Sequence, residues 1–395
     1  EDETVVFLAY RALLLLRERL AARGIRLVLD FVPNHVAVDH AWSRTHPEYF
    51  IAGTEAERAL QPGNYTCLGE RVFAHGRDPN FPGWTDTLQL DYSNAAAREA
   101  MMEELAGVSR LCDGVRCDMA MLVLNEVFSR TWPGRRMPRE EFWPEAIRRV
   151  RSGRPGFLFM AEVYWGLERG LLEQGFDYVY DKALYDCLVS MDVPGAIRRL
   201  GADTDVLHGS VHFVENHDEA RSAAVFSKGY LQAAAVATAL APGAFLVYEG
   251  QLEGRKARPP VQLARRPEEP VDRDIRRFYE RLLAVASRQV VRQGRWGLLP
   301  VRSAWDGNPT WERFVAMRWS AAGEEDVLVL VNLGMTQGQC LVPLPEDAYA
   351  GREWILRDQL SEAMYERNGD EMSRRGLYLD MPAWGVHAFV VSRRT

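Results

Sequence analysis

The segment His212-Phe213-Val214-Glu215-Asn216-His217-Asp218 sets four ionisable or amide side chains in a row directly after a short apolar run. Buried polar groups are costly unless they meet a partner, so such a strand end points to a ligand. Three other segments share the pattern: Asp30-Phe31-Val32-Pro33-Asn34-His35, Gly114-Val115-Arg116-Cys117-Asp118 and Met160-Ala161-Glu162. Parallel strands bring their last residues to one rim of the fold, where active sites are built. Asp118, Glu162, Asp218, His35, His217 and Arg116 are therefore expected to line one concave site.

Two carboxylates on either side of a bond, one a nucleophile and one a proton donor, are the minimum equipment for retaining cleavage of a glycosidic bond. Arg116 precedes Asp118 by two residues and on a strand points to the same side. Its guanidinium is expected to hold Asp118 ionised, as a nucleophile requires. Glu162 has no basic neighbour in sequence and follows the apolar run Phe157–Ala161. Desolvation there favours the protonated carboxyl of a general acid. Cys117 falls on the opposite side of its strand from these groups and is expected to be inert.

The elements that must hold these residues can be read from periodicity. Strand-like runs cover Ile25–Phe31, Leu111–Asp118, Phe157–Glu162, Phe176–Tyr180, Val211–Glu215 and Ala244–Glu249. Helix-like segments cover Arg11–Arg23, Ala95–Arg110, Arg139–Arg151, Lys182–Leu200, Gly229–Leu240 and Asp272–Arg288. Apolar strands alternating with helices make a parallel sheet covered on its faces. After about residue 294 the chain changes to β-rich runs separated by turns, the pattern of an antiparallel sandwich. About 75 residues separate His35 from the next such strand, too many for a plain loop, and imply a functional excursion or a small subdomain.

Composition bounds the remaining choices. The 395 residues are 47% hydrophobic and 26% charged, with a formal net charge of −7, as in an ordinary globular protein. Lysine occurs only at Lys182, Lys228 and Lys256, and the arginines are scattered among glutamates, so no nucleic-acid partner is expected. Apolar runs such as Leu13–Leu16 are too short for a membrane span. Five cysteines without metal-ligand spacing suggest reduced thiols and a cytoplasmic setting. His40, His46 and His75 read as surface or turn residues. The aromatics of the long excursion, Trp42, Tyr49, Phe50, Tyr65, Phe73, Phe81, Trp84 and Tyr92, suit either a small core or sugar stacking. Arg255–Arg266 reads as a solvated loop.

DFVPNH, GVRCDMAM, AEVYW and FVENHD, in that order and at those intervals, resemble the four signature regions of the α-amylase family, glycoside hydrolase family 13. The resemblance implies an α/β fold: a (β/α)8 TIM barrel with a domain B insertion and a C-terminal antiparallel β-sandwich. On that reading residues 1–293 are the barrel, including 36–94 as the insertion, and residues 294–395 are the sandwich. It implies Asp118 as nucleophile, Glu162 as general acid/base and Asp218 as the third carboxylate that stabilises the transition state. Arg116 would support the nucleophile, His35 and His217 would hydrogen-bond the sugar, and Asp30 and Asn34 would shape the pocket from beneath. The substrate would be an α-glucan or α-glucoside. Hydrolysis is the first reading, a trehalose- or maltosyl-transferring enzyme the second, and a catalytically silent sugar-binding barrel the third.

Two departures qualify the resemblance. Met119-Ala120-Met121-Leu122 stands where many α-amylases carry a Lys-His grip for the leaving-group sugar, which favours short substrates over starch. The family's calcium site uses backbone near that absent histidine together with the asparagine at Asn34, so no cofactor is expected. The barrel is also short of its first two βα units. Thr4–Ala9 is apolar enough for one substitute strand, and the complete protein is expected to extend upstream by on the order of 60 residues or more.

Overall fold

The computed structural model describes residues 3–260 and 265–394, and the chain forms two compact units, Glu1–Tyr180 and Asp181–Thr395. Part of the expected Arg255–Arg266 loop, residues 261–264, lies outside the described residues.

The first unit is built on four parallel strands: β1 (Val28–Phe31), β2 (Gly114–Cys117), β3 (Leu158–Ala161) and β4 (Tyr178–Tyr180). They pair in chain order, with Asp30 beside Arg116, Arg116 beside Met160, and Met160 beside Tyr178. All four residues of β2 are buried, as its apolar run anticipates for a strand covered on both faces. Gly114 permits the close pairing, because a Cβ there would lie 2.6 Å from Cβ of Leu158. Helices Ala95–Ser109 and Phe142–Gly153 pack beside the strands, the first capped by Asn94.

The helix at the start of the chain runs from Glu3 to Ala21 and takes in Thr4–Ala9. The strand allowed there is thus corrected. The segment runs without a turn into Tyr10-Arg11-Ala12-Leu13, and helix propagates cheaply into adjoining residues once nucleated. Arg17 fastens this helix to Asp113, at the foot of β2, through bonds of 3.0 and 2.6 Å.

The excursion after β1 carries two small antiparallel pairs, His35–Ala37 with Thr87–Gln89 and Tyr65–Leu68 with Arg71–Ala74. Helix Glu55–Leu60 opens on a capping box of Thr54 and Glu57. Phe50, Phe73, Leu88, Leu90 and Tyr92 are buried and give this segment a core.

The second unit begins with a parallel pair, β5 (Ser210–His212) and β6 (Ala244–Phe245). The helix expected over Lys182–Leu200 is two helices, Lys182–Val189 and Val193–Leu200. Met191 turns left-handed between them, Asp192 caps the second, and Pro194 sits in its first turn. Helices Lys228–Ala239 and Arg273–Ala286 follow.

Beyond them lies a six-stranded antiparallel sheet. Its strands, edge to edge, are Arg295–Leu298, Phe314–Ser320, Asp326–Asn332, Val386–Arg393, Glu353–Asp358 and Met364–Asn368. A three-stranded sheet of Arg302–Ser303, Gly338–Val342 and Leu377–Met381 completes the sandwich. Alternation splits Asp326–Asn332 between two cores. Leu328 and Leu330 pack with Cys340, Val342 and Leu379 inside the sandwich. Val327, Val329 and Val331 pack with Ala235, Leu231 and Leu282 of the two helices. Both faces of this strand are buried, which accounts for its unbroken run of Val and Leu.

Candidate active site

The last residues of β1, β2 and β3 meet around one guanidinium. Nη1 of Arg116 donates to Oδ1 of Asp118 at 2.8 Å and to Oδ1 of Asp30 at 3.2 Å. Its Nη2 donates to Oε2 of Glu162 at 2.7 Å. Arg116 and Glu162 are buried, whereas the Asp30 side chain is 63% exposed and that of Asp118 25%. Burial opposes the charge on Arg116, but Glu162, Tyr180, Asp118 and Asp30 together outweigh it and raise its pKa.

Arg116 therefore serves Glu162 as well as Asp118. Sequence spacing showed only the second partnership, because Glu162 comes alongside through strand pairing. Desolvation still dominates at Glu162 and raises its pKa, with the Asp118 charge adding to the effect. Arg116, the Tyr164 hydroxyl and the Met119 N–H pull the other way. A carboxyl so placed can carry a proton at a pH where an exposed one is ionised.

Local backbone sets these positions. The N–H groups of Asp118 and Glu162 continue the ladder to the carbonyls of Phe31 and Cys117 at 2.9 and 3.0 Å. Met119 then takes a left-handed conformation at φ 41°, which aims its N–H at Oε2 of Glu162, 2.9 Å away. A non-glycine residue held there costs roughly 1–2 kcal/mol, so the surrounding structure must impose it. The imposing contacts are Ala120 N–H to the Glu162 carbonyl at 2.9 Å and buried Trp143 donating to the Ala120 carbonyl at 2.9 Å. Ala120–Val123 form a buried turn with no polar side chain to offer a sugar.

Tyr164, which sequence reasoning passed over, donates its hydroxyl to Oε1 of Glu162. Trp165 beside it is exposed at φ 64°, with the Arg130 guanidinium 5.8 Å above its ring.

His35 is half-buried, its ring 5.1 Å from that of Trp84. Burial lowers its pKa to about 4 against a weaker opposing pull from Asp86, so the ring is neutral near pH 7. Asn34 is buried and pairs with Gln89: its Nδ2 donates to Oε1 at 3.1 Å and its Oδ1 accepts from Nε2 at 3.0 Å. Gln89, also missed, further donates to the Asn34 and Leu90 carbonyls.

His217 and Asp218 belong to the second unit. Nε2 of His217 lies 3.0 Å from Oδ2 of Asp218, and their side chains are 33% and 47% exposed. The other two polar residues of that row turn inward. Buried Glu215 accepts from Arg221 Nη1 at 2.7 Å and from the Ser222 N–H and hydroxyl at 2.6 Å each. Oδ1 of Asn216 accepts the N–H groups of Asp218 and Glu219 at 2.9 and 3.0 Å. Half of the polar row thus builds the turn that presents the other half. Arg221, three residues past Asp218, was the unrecognised partner.

No protein-family model matches the chain. Over 255 residues it is 25% identical to α-amylase MalA of Haloarcula japonica, a match covering 60% of this chain and 33% of that protein. The chain thus spans about a third of the length of that curated relative. Among solved structures, the maltogenic α-amylase AmyB of Thermotoga neapolitana aligns with a TM-score of 0.68 at 18% identity, covering 96% of this chain and 80% of the other. The α-amylase of Geobacillus thermoleovorans, solved with acarbose, aligns with a TM-score of 0.68 at 16% identity, covering 98% and 81%. These structures share the fold: a β/α barrel followed by a C-terminal β domain. With four signature segments at or just past strand ends, the chain is similar in sequence to a curated α-amylase and in fold to solved α-amylases.

Proposed function

We propose that the protein is a retaining glycoside hydrolase of short α-glucans or α-glucosides. The observation that carries this reading is the shared guanidinium of Arg116 between an accessible carboxylate, Asp118, and a desolvated carboxyl, Glu162. One group is suited to attack and the other to donate a proton. Asp118 attacks the anomeric carbon as Glu162 protonates the departing oxygen. Glu162 then takes a proton from water, which releases the sugar with its configuration retained. On the family resemblance, His35 and His217 hydrogen-bond the sugar, Asp218 stabilises the transition state, and Asp30 and Asn34 shape the pocket from beneath.

The test uses Asp118→Asn and Glu162→Gln. Each is expected to lower kcat on an α-glucoside by several orders of magnitude with the melting temperature little changed. Residual activity above about a tenth of wild type, a loss of only ~1.4 kcal/mol in barrier terms, would refute the roles. An NMR time course should show the α-anomer as first product. The product profile on a panel of α-glucosides separates hydrolysis from transfer to a second sugar and from silence.

The buried apolar turn Ala120–Val123 supports weak binding on the leaving-group side. Maltotriose should therefore have a higher kcat/KM than soluble starch, and the reverse order would sink the preference for short chains.

A further inference from the structure

The two oxygens of Glu162 are not equivalent. Oε2 accepts from the Arg116 guanidinium at 2.7 Å and from the Met119 N–H at 2.9 Å, and neither group can accept a proton in return. A proton on Oε2 would face two N–H donors. The proton of the acid form therefore belongs on Oε1, where the hydrogen-bond partner among the described residues is the Tyr164 hydroxyl. A hydroxyl can both donate and accept. It can bond to Oε1 in either protonation state by rotating about its C–O bond.

We propose that Tyr164 is the positioning residue of the general acid, resting on the reading of Glu162 as that acid. In the protonated state the Glu162 O–H lies between the Tyr164 oxygen and the substrate's glycosidic oxygen. When the C1–O bond breaks, its electron pair goes to the departing oxygen, which takes the proton from Oε1. The Tyr164 O–H then rotates to donate to the new carboxylate. The second half-reaction reverses the exchange: water gives its proton to Oε1 as its oxygen bonds to C1, and the bond from C1 to Asp118 breaks. Tyr164 thus selects the oxygen that holds the proton and stabilises the carboxylate after transfer. The charged or titratable groups that act on Glu162 among the described residues include Arg116 and Asp118 from β2, Asp30 from β1 through Arg116, and Tyr180 from β4. Arg116 bonds Oε2, the other oxygen of the carboxyl.

The experiment compares wild type, Tyr164→Phe and Glu162→Gln on 2,4-dinitrophenyl α-glucoside, whose leaving group needs no protonation, and on maltotriose, whose leaving group does. Tyr164→Phe should lower kcat/KM on maltotriose by about 10- to 100-fold, the worth of a hydrogen bond to a charged group, and leave the aryl substrate within about threefold. The alkaline limb of its kcat/KM profile should move up by about one pH unit, because a donor to the carboxylate is gone. Isotope-edited infrared titration of the Glu162 carboxyl, which needs no turnover, should show the same upward move. Equal losses on both substrates with an unmoved titration would reduce Tyr164 to a packing role and overturn the proposal. A wild-type enzyme that cleaves neither substrate would overturn the function reading and this inference together. Normal wild-type cleavage with Tyr164→Phe indistinguishable from it would overturn the inference alone.

Discussion

At the scale of single residues, burial decides more than residue type. Two histidines occupy signature positions, yet the ring of His35 is desolvated beside Trp84 and His217 is partly exposed beside Asp218. With its pKa lowered from 6.5 to about 4, His35 binds its proton more weakly folded than unfolded. Stability from this group is intact above about pH 6.5 and falls as pH drops towards 4, because the unfolded chain protonates first. The gap is worth roughly 3 kcal/mol at 1.36 kcal/mol per pH unit. His35→Gln should flatten the pH dependence of melting between 6.5 and 4, and an unchanged slope would contradict the assignment. The sequence made Asp118, Arg116 and Glu162 visible because strand ends and period-two spacing are local signals. Tyr164, Gln89 and Arg221 stayed hidden because their roles depend on atoms brought near only by folding: a carboxyl oxygen, a distant amide and a turned-in glutamate.

At the scale of elements, the Asn34–Gln89 pair joins the end of the first signature segment to the last strand of the excursion, 55 residues later. The side-chain amides of both residues are turned on each other and on backbone. We propose that this buried pair braces the segment without a cation. A chelator should leave the melting temperature unchanged, and Gln89→Ala should lower stability by about 1–3 kcal/mol by stranding buried polar groups. A melting temperature that falls on chelation and recovers with calcium would refute the brace. Elements themselves were legible where burial was uniform, as in Gly114–Cys117. They were missed where the strand is exposed and polar, as in Met364–Asn368, whose side chains carry no apolar alternation. Lys182–Leu200 read as one helix because its apolar positions continue in phase across Met191, while the break is made by backbone and an aspartate cap.

At the scale of the molecule, the strand Asp326–Asn332 closes two cores of the second unit, together with its neighbours Phe314–Ser320 and Val386–Arg393. A chain ending at residue 293 would leave Leu231, Ala235 and Leu282 without the valines that cover them. It should express as aggregate or lack a cooperative melt, whereas a soluble, cooperatively melting product would show that the helices close without the sandwich. The same arrangement sets a timetable for synthesis. Helix Arg273–Ala286 is finished about a hundred residues before Val386–Arg393, whose Ala388 and Val390 share its core. At 5–20 residues per second the nascent chain carries that apolar face incompletely covered for roughly 5–20 s, an interval in which it is exposed to association with neighbouring chains.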